Sequence, residues 1–200
     1  MIEGVSIESM VVATGLVVTM LLTHWLYVKS VQPARLTGRM GERAYRRSAN
    51  YRALASLAMM LHVAAMVGYY LYPLPMGIPL AFGWGWSVSA IIAAVIGLPA
   101  AYLMWRGARD AGSETMVPER SHTLYGGIYE KIRHPQAVGE APLWTVIAFL
   151  LDSPFLVILS LLWYPLMIYW CYAEERDLVI RYGAPYEEYR RRVGMFWPRG

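Results

Sequence analysis

The run APLWTVIAFLLDSPFLVILSLLWYPLMIYWCYA, residues 141–173, decides the fold, because its 33 residues include one charged side chain, Asp152. A helix needs about 20 apolar residues to cross a bilayer, so this run suits two helices better than one. Asp152-Ser153-Pro154 lies in its middle. Proline fixes φ and cannot donate a backbone hydrogen bond, which makes this tripeptide a plausible turn. The run therefore predicts a helical hairpin, whose first leg is long enough only if it begins near Pro135 and includes Glu140.

Three further uncharged runs precede the hairpin, and the composition agrees with them. Apolar residues make up 57% of the chain and charged residues 16%, with a mean hydropathy of +0.35. A soluble domain normally has about 25% charged residues. We predict an all-α, polytopic integral membrane protein with a single membrane domain over residues 1–200. Its five expected spans are 10–28, 53–72, 84–105, 136–151 and 154–173.

The basic residues predict the orientation. All 18 lysines and arginines fall in the segments 29–52, 106–133 and 176–199. Five spans would place these three segments on one face of the bilayer, and the positive-inside rule assigns that face to the cytoplasm. The N-terminus is then outside, and the C-terminus is a cytosolic helical tail. Topology explains the net charge of +4, so we expect contacts with membrane lipids and none with nucleic acid.

The sequence gives no indication of a metal site. His24 and His62 each lie alone inside a predicted span, where packing between helices is the simpler expectation. Cys171 is the one cysteine and also lies in a span, so no disulfide within the chain is possible. Zinc motifs, paired cysteines, glycine-rich phosphate loops and acidic clusters are absent from the sequence.

The most specific motif is GIYEKIRHP, residues 127–135. Its glycine permits a tight turn with exposed amides, and Pro135 can begin the fourth span at its first turn. A helix N-terminus offers free N–H groups and a partial positive charge. With Arg133 and His134 alongside, the motif predicts a polar pocket for a carboxylate or a ribose at the membrane surface. The alternative is that Arg133 and His134 only anchor the chain at that surface.

A second polar group, Glu174-Glu175, follows the last span. Two acids at the end of a span are costly unless they have partners. Arg133 and His134 are expected on the same face of the bilayer and could be those partners.

The residues after these acids predict a helical tail. Asp177 and Arg181 are four residues apart, the spacing of an ordinary solvated helix pair. Gly183 fits the end of a helix, and Ala184-Pro185 can begin a second short helix.

Together these residues resemble the isoprenylcysteine carboxyl methyltransferase and phospholipid methyltransferase superfamily. The resemblance covers roughly residues 120–200, and the first three spans agree only in number and orientation. Directly after Arg-His-Pro, this chain has Gln136-Ala137 where the family usually has a pair such as Met-Tyr, a difference that bears on the acceptor more than on the cofactor. The matching residues are Gly127-Ile128-Tyr129, Arg133-His134-Pro135, Gly139, Glu174-Glu175, Arg181-Tyr182-Gly183, Tyr186, Tyr189-Arg190 and Pro198.

The resemblance implies that segments 120–140 and 174–200 enclose S-adenosylmethionine on the cytosolic side, while a lipophilic acceptor enters from the bilayer. It implies catalytic roles for Arg133, which could hold an acceptor carboxylate, and for Glu174. The cofactor-binding residues that it implies are Gly127, Tyr129, Arg133, His134, Pro135, Glu174 and Glu175.

The resulting hypothesis is an S-adenosylmethionine-dependent methyltransferase whose acceptor is lipophilic and membrane-embedded, isoprenylcysteine-like or phospholipid-like. Methyl transfer from a sulfonium needs positioning and exclusion of water, with no metal and no covalent intermediate. The acceptor group, a carboxylate of a prenylated cysteine, a phospholipid amine or a small hydrophobic thiol, stays open. One alternative is an NADPH-dependent reductase of the sterol-reductase type, since Arg133-His134-Pro135 with Gly139-Glu140 also fits that class. The other is a membrane protein without enzymatic activity.

Overall fold

The computed structural model describes residues 6–119 and 126–199, and within these ranges the regular structure is helical. Single 3-10 turns cover Gly112–Thr115 and Gly127–Glu130, and one isolated bridge pairs Ile132 with Gly194. The all-α prediction is confirmed. The α-helices are α1 Ile7–Ser30, α2 Pro33–Met40, α3 Arg43–Leu71, α4 Trp86–Ala111, α5 Pro135–Leu150, α6 Pro154–Ser160, α7 Trp163–Tyr182 and α8 Ala184–Arg192.

Four helical segments are long and apolar enough to cross a membrane, judged by length and composition. They are α1, α3, α4 with the 3-10 turn after it, and α6 with α7, and each overlaps one of the expected spans. The remaining expected span, 136–151, forms α5. This helix has 16 residues and is about 24 Å long, shorter than the roughly 30 Å hydrocarbon core of a bilayer. The count of five spans therefore stays a prediction.

The hairpin turns where the sequence predicts it. Asp152 adopts a positive φ of 50°, and the Ser153 hydroxyl accepts a hydrogen bond from the Leu156 amide at 3.4 Å, which caps α6. The second leg differs from the expectation, because α6 ends at Ser160 and α7 begins at Trp163. Pro165 explains this interruption, since it has no N–H to donate to the carbonyl four residues earlier.

Glycine allows α4 and α5 to pack closely. A Cβ added at Gly139 would lie 2.5 Å from the backbone nitrogen of Met104, and one added at Gly107 would lie 2.8 Å from Cγ of Gln136. Any side chain at these positions would push the two helices apart. The close approach fixes the start of α5, which follows the Arg-His-Pro motif, against the end of α4.

Aromatic side chains fill the core between the helices. Trp144 of α5 stacks on Trp163 of α7 with ring centroids 4.4 Å apart, and His62 of α3 meets both rings edge-on. His62 is 1% exposed, and its Nδ1 lies 2.9 Å from the Thr19 hydroxyl. His24 Nδ1 accepts a hydrogen bond from the indole of Trp170 at 2.8 Å. The expectation that both histidines pack between helices is confirmed.

The three basic segments meet at one end of the helices. Arg52 of α3 donates to the carbonyl oxygens of Glu114 and Thr115, each at 2.9 Å, just after α4 ends. Arg181, near the end of α7, lies 2.5 Å from Oε1 of Glu114. These contacts bring the start of α3, the end of α4 and the end of α7 together.

Candidate functional site

The loop of the GIYEKIRHP motif, residues 127–135, is called the motif loop below. The Asp110 carboxylate fixes it to the end of α4 and occupies the space that a side chain at residue 127 would take. Gly127 has a φ of +66°, and a Cβ there would lie 2.8 Å from Cγ of Asp110. The same carboxylate accepts a hydrogen bond from the Ile128 amide at 2.9 Å. Only glycine combines this φ with the close approach without strain. Gly127 therefore shapes the loop through its backbone.

Tyr129 connects the loop to three neighbouring elements. Its hydroxyl donates to the carbonyl of Gly107 at 3.2 Å and accepts from the amide of Gln136 at 2.8 Å. Its own carbonyl accepts from the hydroxyl of Tyr189 in α8 at 2.7 Å. Tyr129 is 6% exposed, so these bonds form in an environment with little water, where each is stronger than at the surface.

The C-terminal tail pairs with the same loop. The amide of Arg133 donates to the carbonyl of Gly194 at 2.9 Å, and that of His134 donates to Met195 at 3.1 Å. The Arg133 guanidinium also donates to the carbonyl of Arg190 at 2.9 Å and to that of Val193. The tail is thus part of the site.

A buried ionic cluster joins the start of α5 to α7. Arg133 Nε lies 2.7 Å from Oε1 of Glu175, and His134 Nε2 lies 3.2 Å from the same oxygen. On the other side of the ring, His134 Nδ1 lies 3.4 Å from Oε2 of Glu174. The expectation that the two basic residues are the partners of the two acids is confirmed.

The two acids differ in surroundings. The Glu175 side chain is 6% exposed and has three cationic neighbours, the third being Arg190 at 3.9 Å. The Glu174 side chain is 34% exposed, and within the described residues its one ion pair joins it to His134. Glu175 is therefore enclosed by the protein, whereas Glu174 keeps a free side for a ligand.

The surroundings of His134 favour its protonated form. Burial opposes its protonation, but interactions with Cys171, Glu174 and Glu175 outweigh that effect and raise the pKa of His134 well above its usual value. Both ring nitrogens then donate, one toward each acid. The four side chains of the cluster, Arg133 included, balance two positive charges against two negative ones. Such compensation is what charges need in order to stay buried.

A cavity opens next to this cluster, between α1, α3, α5 and α7. Charged, polar and aromatic side chains share its wall. Arg52 contributes a guanidinium whose Nε is buried and has no hydrogen-bond partner among the described residues. The side chains that define its chemistry are Tyr27, Arg52, His134, Gln136, Trp170 and Glu174.

The structure divides the residues proposed from the sequence into two groups. Tyr129, Arg133, His134 and Glu174 line the cavity. Gly127, Pro135 and Glu175 lie behind it and fix the loop, the start of α5 and the ionic cluster. Arg133 is 8% exposed, and the bonds described above go to Glu175 and to the tail.

Sequence reasoning missed several lining residues. In the sequence, Arg52 contributes only to the predicted orientation in the membrane. A cation directly before an apolar run is nevertheless a usable signal for a site at a membrane surface. Gln136 had no signal beyond its departure from the family pattern. Tyr27 and Trp170 stack with ring centroids 4.2 Å apart, but in the sequence they look like any aromatic residues at span ends.

The expected solvated pair of Asp177 with Arg181 is wrong. Asp177 is 2% exposed and accepts hydrogen bonds from the amides of Ala34 at 3.0 Å and Arg35 at 2.7 Å, at the start of α2. Arg181 instead contacts Glu114. A helix N-terminus has free N–H groups that attract a carboxylate. Asp177 therefore bonds to the start of α2 and not to Arg181.

The fold and the site together define a helical integral membrane protein with a charged cavity at one end of its helices. No protein-family model and no solved structure matches the chain. The chain is 30% identical over 113 residues to methanethiol S-methyltransferase 2 of Bradyrhizobium diazoefficiens. The match covers 52% of this chain and 37% of that protein, so this chain spans little more than a third of the relative's length. The similarity is thus to a methyltransferase, the class of enzyme that the motifs resemble.

Proposed function

We propose that this protein is an S-adenosylmethionine-dependent methyltransferase that transfers the methyl group to a lipophilic acceptor from the bilayer. The observation that supports this most is the position of Glu174. It is held by the His134 cation on one side, and it faces a cavity built from the motif loop, α5 and α7. Similarity to a methyltransferase over about half of the chain supports the same class.

The charges of the cavity fit the methyl donor. S-adenosylmethionine carries a sulfonium and an ammonium cation, and Glu174 can accept a hydrogen bond from the ammonium. The carboxylate of S-adenosylmethionine suits the Arg52 guanidinium, whose buried Nε has no partner among the described residues. The ring faces of Tyr27 and Trp170 add to the attraction for a cation. The bound donor supplies an activated methyl group, and the protein needs no nucleophile of its own.

An apolar groove beside the cavity suits a lipophilic acceptor. Ala137 and Met167 line both the groove and the cavity, so the two spaces adjoin. The rest of the groove includes Tyr164 of α7 and Phe196-Trp197 of the tail. We propose that the acceptor lies in this groove, with its reactive atom near Ala137.

The residues of the chain act here by positioning and by excluding water. The tail closes over the loop through the bonds of Arg133 to Glu175, Arg190 and Val193. We therefore assign Arg133 mainly to holding the tail. The contact of Arg133 with an acceptor carboxylate, which the resemblance implies, needs a guanidinium nitrogen free of these bonds. Enclosure of this kind orients two reactants and strengthens electrostatic contacts.

We further propose that the basic end of the helices faces the cytoplasm, with the N-terminus outside and the C-terminus inside. In a chain whose Cys171 is replaced by serine and that carries one engineered cysteine, a membrane-impermeant maleimide added to intact cells should label a cysteine at Met76 and leave one at Gly38 unlabelled. The reverse pattern would refute the orientation.

Ligand-induced stabilisation tests the function. Purified protein in detergent is heated alone, with S-adenosylmethionine, with S-adenosylhomocysteine and with NADPH. A ligand that binds only the folded state raises the melting temperature, by an amount that grows with its concentration over its Kd. We expect both adenosyl ligands to raise it and NADPH to leave it unchanged. Stabilisation by NADPH alone would favour the reductase alternative, and stabilisation by none would contradict the proposal.

A further inference from the structure

A basic recess lies behind the ionic cluster, on the side away from the cavity. It is enclosed by the end of α7, by α8 and by the tail, residues 193–199, and its volume is about 600 Å³. Arg133 contributes to the walls of both spaces, whereas Glu174 belongs to the cavity and Glu175 to the recess. The ionic cluster therefore separates the recess from the cavity.

The charges around the recess do not balance. The exposed charged residues on its wall are Arg190, Arg191, Arg199 and Glu187. Within the described residues, neither Arg191 nor Arg199 forms an ion pair, and Arg190 lies 3.9 Å from Glu175. Glu175 itself is already compensated by Arg133 at 2.7 Å. The recess therefore presents an excess of positive charge to the outside.

The end of the tail folds back onto α8 and adds the third arginine. The Arg199 guanidinium donates to the carbonyl of Arg190 at 3.4 Å and to that of Arg191. These carbonyls lie in the last turn of α8, which has free acceptors and a partial negative charge. Three arginines thus gather around one recess although like charges repel. A guanidinium matches two oxygens of a phosphate, so this arrangement indicates a phosphate-bearing ligand.

The recess borders the surface of α7 that faces the membrane. Tyr172 lies on its wall and is 51% exposed. Trp197, two residues before Arg199, is 72% exposed and lines the apolar groove. Exposed tyrosine and tryptophan are typical of the boundary between hydrocarbon and lipid headgroups. A phospholipid beside α7 can therefore place its headgroup in the recess while its acyl chains stay in the bilayer.

We propose that the recess binds the headgroup of an anionic phospholipid and that Arg190, Arg191 and Arg199 contact its phosphate. The donor cavity lies on the other side of the ionic cluster, so lipid binding here does not depend on the proposed function. For the same reason, the bound lipid is not the methyl acceptor.

The bound phosphate also holds the tail against the motif loop. Arg190 and Arg191 precede, and Arg199 follows, the carbonyls of Gly194 and Met195 that accept hydrogen bonds from two motif-loop amides. A phosphate that bridges these arginines restrains both ends of the segment between them. Opening of the tail then requires loss of the lipid contacts, so the two amides should exchange more slowly when lipid is bound.

Native mass spectrometry of the purified full chain in detergent measures the lipid affinity. The protein is titrated with phosphatidylglycerol, with phosphatidylcholine of the same acyl chains, and with phosphatidylglycerol in the presence of inorganic phosphate. The recess variant combines Arg191→Gln with Arg199→Gln. The control variant combines Arg176→Gln with Arg192→Gln, which removes the same charge from exposed arginines that do not line the recess.

We expect wild type to bind phosphatidylglycerol more tightly than phosphatidylcholine, and an equal concentration of inorganic phosphate to leave this binding unchanged. One arginine at an anionic membrane surface contributes about 5-fold in affinity, so the recess variant should bind phosphatidylglycerol about 25-fold more weakly. The control variant should stay within about 2-fold of wild type, because its arginines are exposed and screened. Phosphatidylglycerol should slow exchange of the two motif-loop amides in wild type and in the control variant only.

Equal affinities for the two lipids, or equal losses in the two variants, would overturn the lipid site. Displacement of the lipid by an equal concentration of inorganic phosphate would show a site for free anions and would also overturn it. If the recess variant does not fold, Arg191→Gln against Arg192→Gln decides, because Arg191 gives only its carbonyl to the bonds described above. A loss of about 5-fold in Arg191→Gln alone supports the site, and equal affinities refute it. Lipid binding without slower exchange would overturn the restraint of the tail.

Discussion

Replacing Glu175 with alanine is expected to unfold the protein more readily, whereas replacing Glu174 is expected to weaken ligand binding. Glu175→Ala leaves Arg133 and the protonated His134 buried without their shared acceptor, which lies 2.7 and 3.2 Å away. Removing one partner of a buried ion pair costs about 3–5 kcal/mol. For a chain of 200 residues, that corresponds to a melting temperature lower by about 6–20 °C.

Glu174→Ala removes an ion pair of 3.4 Å, the one that this side chain makes within residues 6–119 and 126–199, and the side chain is 34% exposed. Solvent reaches this carboxylate, and His134 keeps its contact with Glu175. The loss of Glu174 should therefore cost less stability than the loss of Glu175, about 1 kcal/mol. If Glu174 bonds the donor's ammonium, its removal costs roughly 1.5–3 kcal/mol of binding, or about 10–150-fold in Kd.

The assay combines thermal unfolding with calorimetric titration of S-adenosylhomocysteine, both in the same detergent, with Glu188→Ala as the control. Binding to Glu175→Ala is measured well below its melting temperature, so that lost folding is not counted as lost affinity. The division of roles is wrong if Glu174→Ala lowers the melting temperature as much as Glu175→Ala, or if Glu174→Ala binds the ligand as wild type does.

Three further substitutions test the supporting structure. Gly127→Ala should destabilise the protein by about 1–3 kcal/mol, because alanine at a positive φ is strained and its Cβ would overlap Asp110; thermal unfolding measures this, and an unchanged melting temperature would contradict the loop geometry. Asp177→Ala should cost about 1 kcal/mol by removing the cap of α2, and hydrogen exchange should rise at the Ala34 and Arg35 amides; unchanged exchange would argue against the cap. The raised pKa of His134 means that its ion pairs stabilise the fold fully below pH 6.5 and lose this effect as the pH rises through the folded-state pKa. The melting temperature should therefore fall on the alkaline side of neutrality, and less steeply in His134→Asn; equal slopes would contradict the assignment.

The sequence predicts the helices well, because their cause is local. Uncharged runs, the Asp152-Ser153-Pro154 turn and Gly183, whose φ is +64°, each act within a few residues. The interruption between α6 and α7 also has a local cause in Pro165, and it could have been predicted from the missing N–H.

The pairing of Arg133 and His134 with the two acids could be predicted from the sequence, because unpaired charges at the end of a membrane span carry a high free-energy cost. The different roles of Glu174 and Glu175 could not. They depend on which acid the α7 helix turns toward the tail, and the tail reaches the loop through backbone bonds to Gly194 and Met195. Backbone pairing of this kind has no side-chain signature in the sequence.

The capping of α2 by Asp177 shows the same limit. Spacing along α7 favours the pair with Arg181, but the spacing rule considers one helix only. The free amides at Ala34 and Arg35 belong to a segment more than 140 residues away in the chain, and only the three-dimensional structure shows that they are adjacent.

Photolabelling tests the central claim, that the cavity beside Glu174 binds the methyl donor, most directly. Wild-type protein in nanodiscs is irradiated with methyl-labelled S-adenosylmethionine, with and without excess S-adenosylhomocysteine, and the labelled peptides are mapped by mass spectrometry. We predict competable label in the peptides that contain the start of α5 and the end of α7, and its loss in Glu174→Ala. Label that excess ligand does not displace, or that maps to the opposite end of the helices near Asp152, would contradict the account.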